Sequence, residues 1–351
     1  MSVYELIDRI SKIQSEGKPL IRLDIGQPDL PVPPAVKRAT QRAIDENKTE
    51  YTHSKGIPPL RERVAEAYDV PEDHVIITAG GKFPIFAAFE QMEGNATLIR
   101  PCWGAYTLML KKLGKLYATI DTTFEEGFRP DFSAIPRETT MAVINYPNNP
   151  TGVGLPHDQY KELADRAADD EFTVLSDEVY THMSFTKASS ITEFDCDYIC
   201  IGSFSKTFSM TGYRLGYAVA RPELVKKIQE FQQLTTTSPS EFAQYAALTA
   251  MNIIEETSDY ISDFYRKRRD EAVSLLRDAG FDVLPSDGTF YLFPRFNGNA
   301  DEFAMAVLDE GVSVLPGSPF GPYEDHFRIS LVTDQMAEAV EKMEKVKDTL
   351  E

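Results

Sequence analysis

The chain has 351 residues, 42% of them hydrophobic, enough to bury a large core and, at ordinary domain sizes, to form two domains. Its formal net charge of −19 argues against nucleic acid or an anionic membrane surface as a partner and reads as a solubility device. Three irregularly spaced cysteines (Cys102, Cys196, Cys200) fit neither a disulfide framework nor a zinc site, and no apolar run approaches the ~18–20 residues of a membrane span; a reduced cytoplasm without metal is expected.

Val3, Leu6, Ile7, Ile10 and Ile13 recur at helical spacing and predict an amphipathic first helix. Residues 21–29 read as a short strand that breaks at Gly26 and Pro28. Pro33-Pro34 opens a helix to about Glu46, since proline suits a first turn. A loop through Tyr51 precedes a helix over 60–68. From residue 74 the pattern changes to short apolar runs at 74–78, 96–99, 116–120, 141–145, 172–176, 198–202 and 215–220, which predict strands buried on both faces. Helical stretches between several of them, such as 83–92 and 159–169, imply an α/β domain with a mostly parallel, mixed sheet between helices. Further helices are predicted at 223–233, 241–256 and 259–279. Strands at 281–284, 289–296, 312–315 and 327–331, with helices at 301–310 and 335–350, imply a smaller α+β domain. The expected division is a large domain over 26–255 and a small one over 256–351, with residues 1–25 packed on the small one.

The chemistry gathers where strands end, which is where open sheets bind ligands. Ser203-Phe-Ser205-Lys206 leads through three more hydroxyl residues, Thr207, Ser209 and Thr211, to Gly212-Tyr-Arg214. Hydroxyls and turn amides hold an anion, and the arginine neutralises it. Lys206 is then free for covalent work, for which a lysine must be partly desolvated or set beside other cations. A phosphate site beside a reactive lysine is what holding pyridoxal phosphate requires. In Asn145-Tyr-Pro147-Asn-Asn149-Pro150-Thr-Gly152 the prolines, asparagines and glycine predict an ordered turn that presents Asn149. Asp177 closes an apolar strand, where a carboxylate is costly unless paired, and a protonated pyridinium nitrogen would pair with it; Tyr180 follows three residues later. Gly80-Gly81-Lys82 joins a strand to a helix and suits phosphate. Pro101-Cys-Trp103-Gly-Ala-Tyr106 holds the only tryptophan, which after a strand end is placed to stack on a flat ring. Arg328, within an apolar strand, needs a partner, and a substrate carboxylate is a good one.

These residues, in this order from about Gly26 to Arg328, resemble the class I/II (fold-type I) pyridoxal-phosphate aminotransferases related to aspartate aminotransferase. The resemblance implies that Lys206 forms the Schiff base with the cofactor and shuttles the proton between substrate Cα and cofactor. Asp177 pairs with the pyridine nitrogen, Asn149 and Tyr180 bind the ring hydroxyl, and Trp103 stacks on the ring. Gly81, Lys82, Ser203, Ser205 and Arg214 surround the phosphate. Arg328 takes the substrate's α-carboxylate, with Gly26 and Asn149 lining that pocket. Members of the family are dimers in which a tyrosine crosses to the partner's phosphate, and Tyr51 matches that position. They favour cis bonds before the prolines matching Pro101 and Pro150. Lys82 also matches a lysine that in some bacterial relatives reads a substrate's second carboxylate, so an acidic donor such as aspartate or glutamate is expected, with aromatic donors next.

The expected reaction is therefore transfer of an amino group between an amino acid and a 2-oxo acid by a ping-pong route. A C–S β-lyase on the same scaffold would share every cofactor residue. A ligand-sensing domain of a transcription regulator fits poorly with the charge and with the lack of a helix-turn-helix extension.

Overall fold

The computed structural model describes residues 3–350. Residues 1, 2 and 351 and the side chains of residues 3–5 and 7 lie outside the described residues, among them Val3 and Ile7 of the predicted apolar stripe. Helix α1 (Val3–Ser15) precedes β1 (Ile21–Arg22). The next helices, α2 (Pro34–Asp45) and α3 (Pro58–Tyr68), both start on proline, whose missing N–H costs nothing in a first turn. The alternating stretch follows: β2 (Val75–Thr78), α4 (Lys82–Gln91), β3 (Asn95–Arg100), α5 (Ala105–Lys112), β4 (Tyr117–Asp121), β5 (Thr139–Asn145), α6 (His157–Asp170), β6 (Thr173–Asp177), β7 (Tyr198–Ser203), the one-turn α7 (Phe204–Thr207) and β8 (Gly216–Ala220). Helices α8 (Pro222–Thr235), α9 (Glu241–Asn252) and α10 (Ile254–Asp278) come next. They lead to β9 (Tyr291–Leu292), α11 (Ala300–Asp309), β10 (Val312–Ser313), β11 (Leu315–Pro316), β12 (Phe327–Ser330) and α12 (Met336–Leu350).

Strands β2 to β8 form one sheet in the order β2-β8-β7-β6-β5-β3-β4, in which only β8 runs against its neighbours. This is the mostly parallel, mixed α/β sheet expected from the sequence. Successive residues point to opposite faces: Ala142, Ile144, Val174 and Val219 into one core, Met141, Val143, Leu175 and Ala218 into the other. Each fully buried Val, Ile or Leu contributes about 1.5–3 kcal/mol to that layering. The edge strand β4 departs from the expectation of burial on both faces. Its residues are only partly covered and Leu116, just before it, is 71% exposed, whereas the four residues of the other edge strand, β2, are buried.

The carboxy-terminal body has an aromatic core, including Phe281, Phe290, Phe296, Phe303 and Phe327. Its strands are shorter than the sequence suggested. Residues 281–284 make only an isolated bridge, Asp282 to Arg295, and the 289–296 strand shrinks to β9. Thr289 has φ 66° and Pro294 has no N–H to donate, so neither end extends a ladder. The 312–315 strand splits: β10 pairs in parallel with β1, while β11 joins β12 and β9 in an antiparallel sheet. The helix predicted over 241–256 ends at Asn252, and α10 starts at Ile254, five residues before the expected start at 259. Ile254 packs in the core beneath the large sheet and Ile261 in the aromatic one. Leu6 and Ile10 of α1 rest against Leu308 of α11. A further cluster of Phe128, Val153, Phe293, Phe320 and Tyr323 joins the two bodies.

Candidate active site

Parallel neighbours β5, β6 and β7 bring Asn145, Asp177 and Ser203 to one end of the sheet, with Asn145 opposite Asp177 and Asp177 opposite Ile201. A cavity of about 1100 Å³ opens there. It is lined by Gly26, Gly81, Lys82, Trp103, Asn149, Asp177, Tyr180, Ser203, Ser205, Lys206, Arg214 and Arg328. Every site residue expected from the sequence thus meets in one place, with the exception of Tyr51, which is 86% exposed and outside the cavity.

The turn after β5 is held by its own asparagines. Asn145 donates to the Asp177 carbonyl (2.7 Å) and accepts from the Asn149 N–H (2.9 Å), while Asn148 Oδ1 accepts from the N–H and hydroxyl of Thr151 (3.1 and 2.9 Å). That lattice frees the Asn149 side chain to face the cavity. Cis peptide bonds precede Pro101, as expected, and Pro147, where Pro150 was expected. The chain reverses directly after β5, at Tyr146-Pro147; by Pro150 it is already inside a turn closed by the Gly152 N–H on the Asn148 carbonyl (2.8 Å).

Asp177 is 4% exposed. Tyr106 of α5 donates to its Oδ2 at 2.5 Å, whereas Oδ1 is buried with no hydrogen-bond partner. Burial pushes the carboxyl up to about 6, against the pull of the Tyr106 hydroxyl, the Val179 N–H and the Lys206 charge. Lys206 stands on α7 and donates to the Gly26 carbonyl. Burial lowers its pKa, reinforced by the nearby charges of Arg328 and Arg214 and opposed by Tyr291 and Asp177. The Tyr180 hydroxyl lies 3.3 Å from that of Tyr291.

Beside the lysine, Ser203 Oγ caps α7 by accepting from the Ser205 N–H (3.1 Å). Arg214 takes a left-handed φ of 53° and donates to the Thr211 carbonyl (2.8 Å). A Cβ added at Gly80 would lie 2.6 Å from Arg214 Nη2, and one at Gly216 the same distance from the Gly81 nitrogen. Only glycine lets these strands, the arginine and the start of α4 come so close. Lys82, exposed at the start of α4, sits 4.8 Å from the centre of the Trp103 ring.

Across the cavity, Arg328 is 5% exposed on β12. It donates to Asn149 Oδ1 (2.9 Å) and the Asp24 carbonyl (2.8 Å), and its guanidinium lies 4.3 Å from the centre of the Tyr291 ring and 5.5 Å from that of Phe320. No carboxylate among the described residues pairs with it. Sequence reasoning gave no part to Tyr106, Tyr291, Phe320 or the carbonyls of Asp24 and Gly26. Tyr106 had one available signal, its place three residues after Trp103. Among the described residues no cluster of three metal-ligating side chains occurs, and no helix is long and apolar enough to cross a membrane.

The model of the family "aminotransferase class I and II" matches residues 18–343. An aspartate aminotransferase of Thermococcus kodakarensis is 36% identical over 330 residues, covering 94% of this chain and 88% of the relative. A probable aspartate/prephenate aminotransferase of Thermus aquaticus is 34% identical, covering 93% and 91%. Among solved structures, an aspartate aminotransferase double mutant of Thermus thermophilus superposes with a TM-score of 0.94 at 30% identity, covering 99% of this chain and 96% of that one. The same enzyme with maleate gives 0.93 at 30% identity, again over 99% and 96%. With its sheet, its half-buried lysine beside a buried aspartate and a family match over nearly its whole length, this chain belongs to the class I and II aminotransferases and is a pyridoxal-phosphate-dependent transaminase.

Proposed function

We propose that this transaminase takes its amino group from an acidic L-amino acid, aspartate or glutamate, and passes it to a 2-oxo acid by a ping-pong route. The observation that carries an amino acid as substrate is Arg328: a buried guanidinium, aimed into the cavity, with no carboxylate of its own among the described residues to pair with, and so open to an α-carboxylate. Lys82 at the mouth offers a second cation for a second carboxylate. The relatives named for aspartate, and the solved neighbour determined with maleate, a dicarboxylate, support the same substrate class.

The residues present fit pyridoxal phosphate. The unpartnered Asp177 Oδ1 suits a protonated ring nitrogen, and the glycine-lined cradle beside Arg214 suits a phosphate. Bound there, the cofactor supplies the electron sink that makes the substrate's Cα hydrogen acidic. Lys206 would hold the cofactor covalently and, as a free amine, would accept the substrate's Cα proton and hand it on. Its lowered pKa favours the neutral amine that both tasks need. Asp177 Oδ1 pairs with the ring nitrogen, while Asn149 and Tyr180 hold the ring hydroxyl. Trp103 covers the ring face. Gly81, Lys82, Ser203, Ser205 and Arg214 bind the phosphate, and Arg328, with Asn149 and Gly26 beside it, orients the α-carboxylate so that the Cα hydrogen faces Lys206.

We also propose that the enzyme is a cytoplasmic homodimer in which Tyr51 reaches the phosphate site of the partner subunit. Its exposure supports this, as does the equally exposed Leu234 at the end of α8, since the Tyr51 loop is tied to the segment after α8 by Thr52 N–H on Ser238 Oγ (3.2 Å). Residues 26–255 and 256–351 would act as large and small bodies, with 1–25 on the small one. The test is an absorbance spectrum of the protein with aspartate, tyrosine or cysteine added separately. The cofactor band is expected to shift to the pyridoxamine form with aspartate and return with 2-oxoglutarate. Lys206→Ala should lose turnover by at least about 10²–10⁴-fold, the part owed to proton transfer alone. Near-normal activity of that variant would overturn the assignment of Lys206, and pyruvate released from cysteine without a 2-oxo acid would point to the lyase.

A further inference from the structure

Tyr106 lies outside the residues that the motifs assign, yet it touches two of them. Its ring is 1% exposed and stands edge-on to Trp103, with centroids 5.4 Å apart at 86°, and to Phe89 at 6.4 Å and 85°. Its hydroxyl donates to Asp177 Oδ2 at 2.5 Å, while Oδ1 of the same carboxylate is buried, bare and part of a residue that lines the cavity. A carboxylate tied by one oxygen can pair through the other in one direction only.

We propose that Tyr106 is a positioning residue for the cofactor: by donating to Oδ2 it turns Oδ1 toward the ring nitrogen and preserves the negative charge that keeps that nitrogen protonated. It also braces the edge of Trp103, so the group that covers the ring face and the group that pairs with the ring nitrogen share one support. The groups facing Asp177 are Tyr106 from α5, the Val179 N–H and Tyr180 just beyond β6, and Lys206 from α7; Tyr106 opposes the effect of burial most strongly.

This inference rests on the reading of Asp177 as the partner of the ring nitrogen, and two variants separate them. Tyr106→Phe keeps the ring and its packing and removes only the hydroxyl. Pyridoxal phosphate should bind the apo-protein about tenfold to a hundredfold more weakly, as expected for loss of a hydrogen bond to a charged group. The pH midpoint of the cofactor's visible band should also rise, because a less protonated ring nitrogen leaves the nitrogen joined to Lys206 more basic. Wild-type affinity and midpoint in this variant would overturn the inference. 3-Fluorotyrosine incorporated at position 106 alone is a stronger donor in the same shape. It should move the midpoint down, and a midpoint that stays or rises overturns the inference even if the Phe variant fails to fold. Asp177→Asn tests the underlying reading. If it leaves both quantities unchanged, the reading of Asp177 fails; if it shifts both while Tyr106→Phe shifts neither, only the role of Tyr106 fails.

Discussion

Around Asp177 and Lys206 the cavity is walled by short runs of consecutive residues at strand ends, held by backbone and by glycines that allow close approach. Around Arg328 it is assembled from far apart in the chain: the Asp24 carbonyl, the Asn149 amide, and the rings of Tyr291 and Phe320. In the proposed function the first region holds the cofactor, and a tight backbone cradle suits a ligand that never changes. The second would receive the substrate, and side chains from separate elements can adjust to it. The contrast teaches that the two kinds of binding should fail separately.

Removing the guanidinium attacks the second region first and has the largest expected effect of the variants that separate the two. Arg328→Ala should lower kcat/KM for aspartate by about 30-fold to several thousand-fold, the cost of losing one partner of a charged pair, while changing the affinity for pyridoxal phosphate far less, through Asn149 alone. A parallel loss of cofactor affinity would break the comparison. Gly216→Ala attacks the cradle. Its new methyl meets the Gly81 nitrogen at 2.6 Å, so stability should fall by about 1–3 kcal/mol in urea unfolding and the cofactor should bind more weakly. Wild-type behaviour there would mean that the cradle is looser than its spacing implies. Tyr291→Phe is milder: it keeps the ring against Arg328 and loses only the contact with the Tyr180 hydroxyl. Steady-state kinetics should show a drop of about two- to tenfold in kcat/KM, the worth of one neutral hydrogen bond. The smallest effect is one of direction. Burial lowers the pKa of Lys206, so in the apo-protein its amine becomes neutral at lower pH than an ordinary lysine's. Reductive methylation followed by mass spectrometry over a pH series should show Lys206 reacting first as pH rises from neutral, once access is corrected for with the unfolded chain.

The same contrast explains what could be read in advance. Asn149, Asp177, Lys206 and Arg214 betrayed themselves because each is polar and sits where an apolar strand ends, a place that demands a reason. Tyr106 and Tyr291 did not, since a tyrosine inside an apolar run looks like core, and both are indeed core at one end of the ring. The carbonyls of Asp24 and Gly26 carry no side-chain signature at all. The seven strands of the large sheet were legible because each is an apolar run covered on both faces or one. Those of the small body were overdrawn, because residues 281–284 and 289–296 are buried through aromatic packing and not through ladder hydrogen bonds. The second cis bond was placed three residues late, at a proline inside the turn instead of the one that starts it.

The pairing of β1 with β10 sets Ile21 beside Val312, and the Ser330 N–H reaches back to the Leu23 carbonyl at 2.8 Å. A ribosome makes β1 long before its partner β10, since the paired residues Ile21 and Val312 lie 291 positions apart. At roughly 5–20 residues per second that interval is on the order of half a minute, during which the strand that leads to Asp24 and Gly26 has no mate. The sheet from β2 to β8, with Lys206 and the glycines packed beside Arg214, is complete well before then. Nascent chains halted just after β8 would therefore offer a test of whether the vitamin-derived group can dock before the arginine half of the pocket exists.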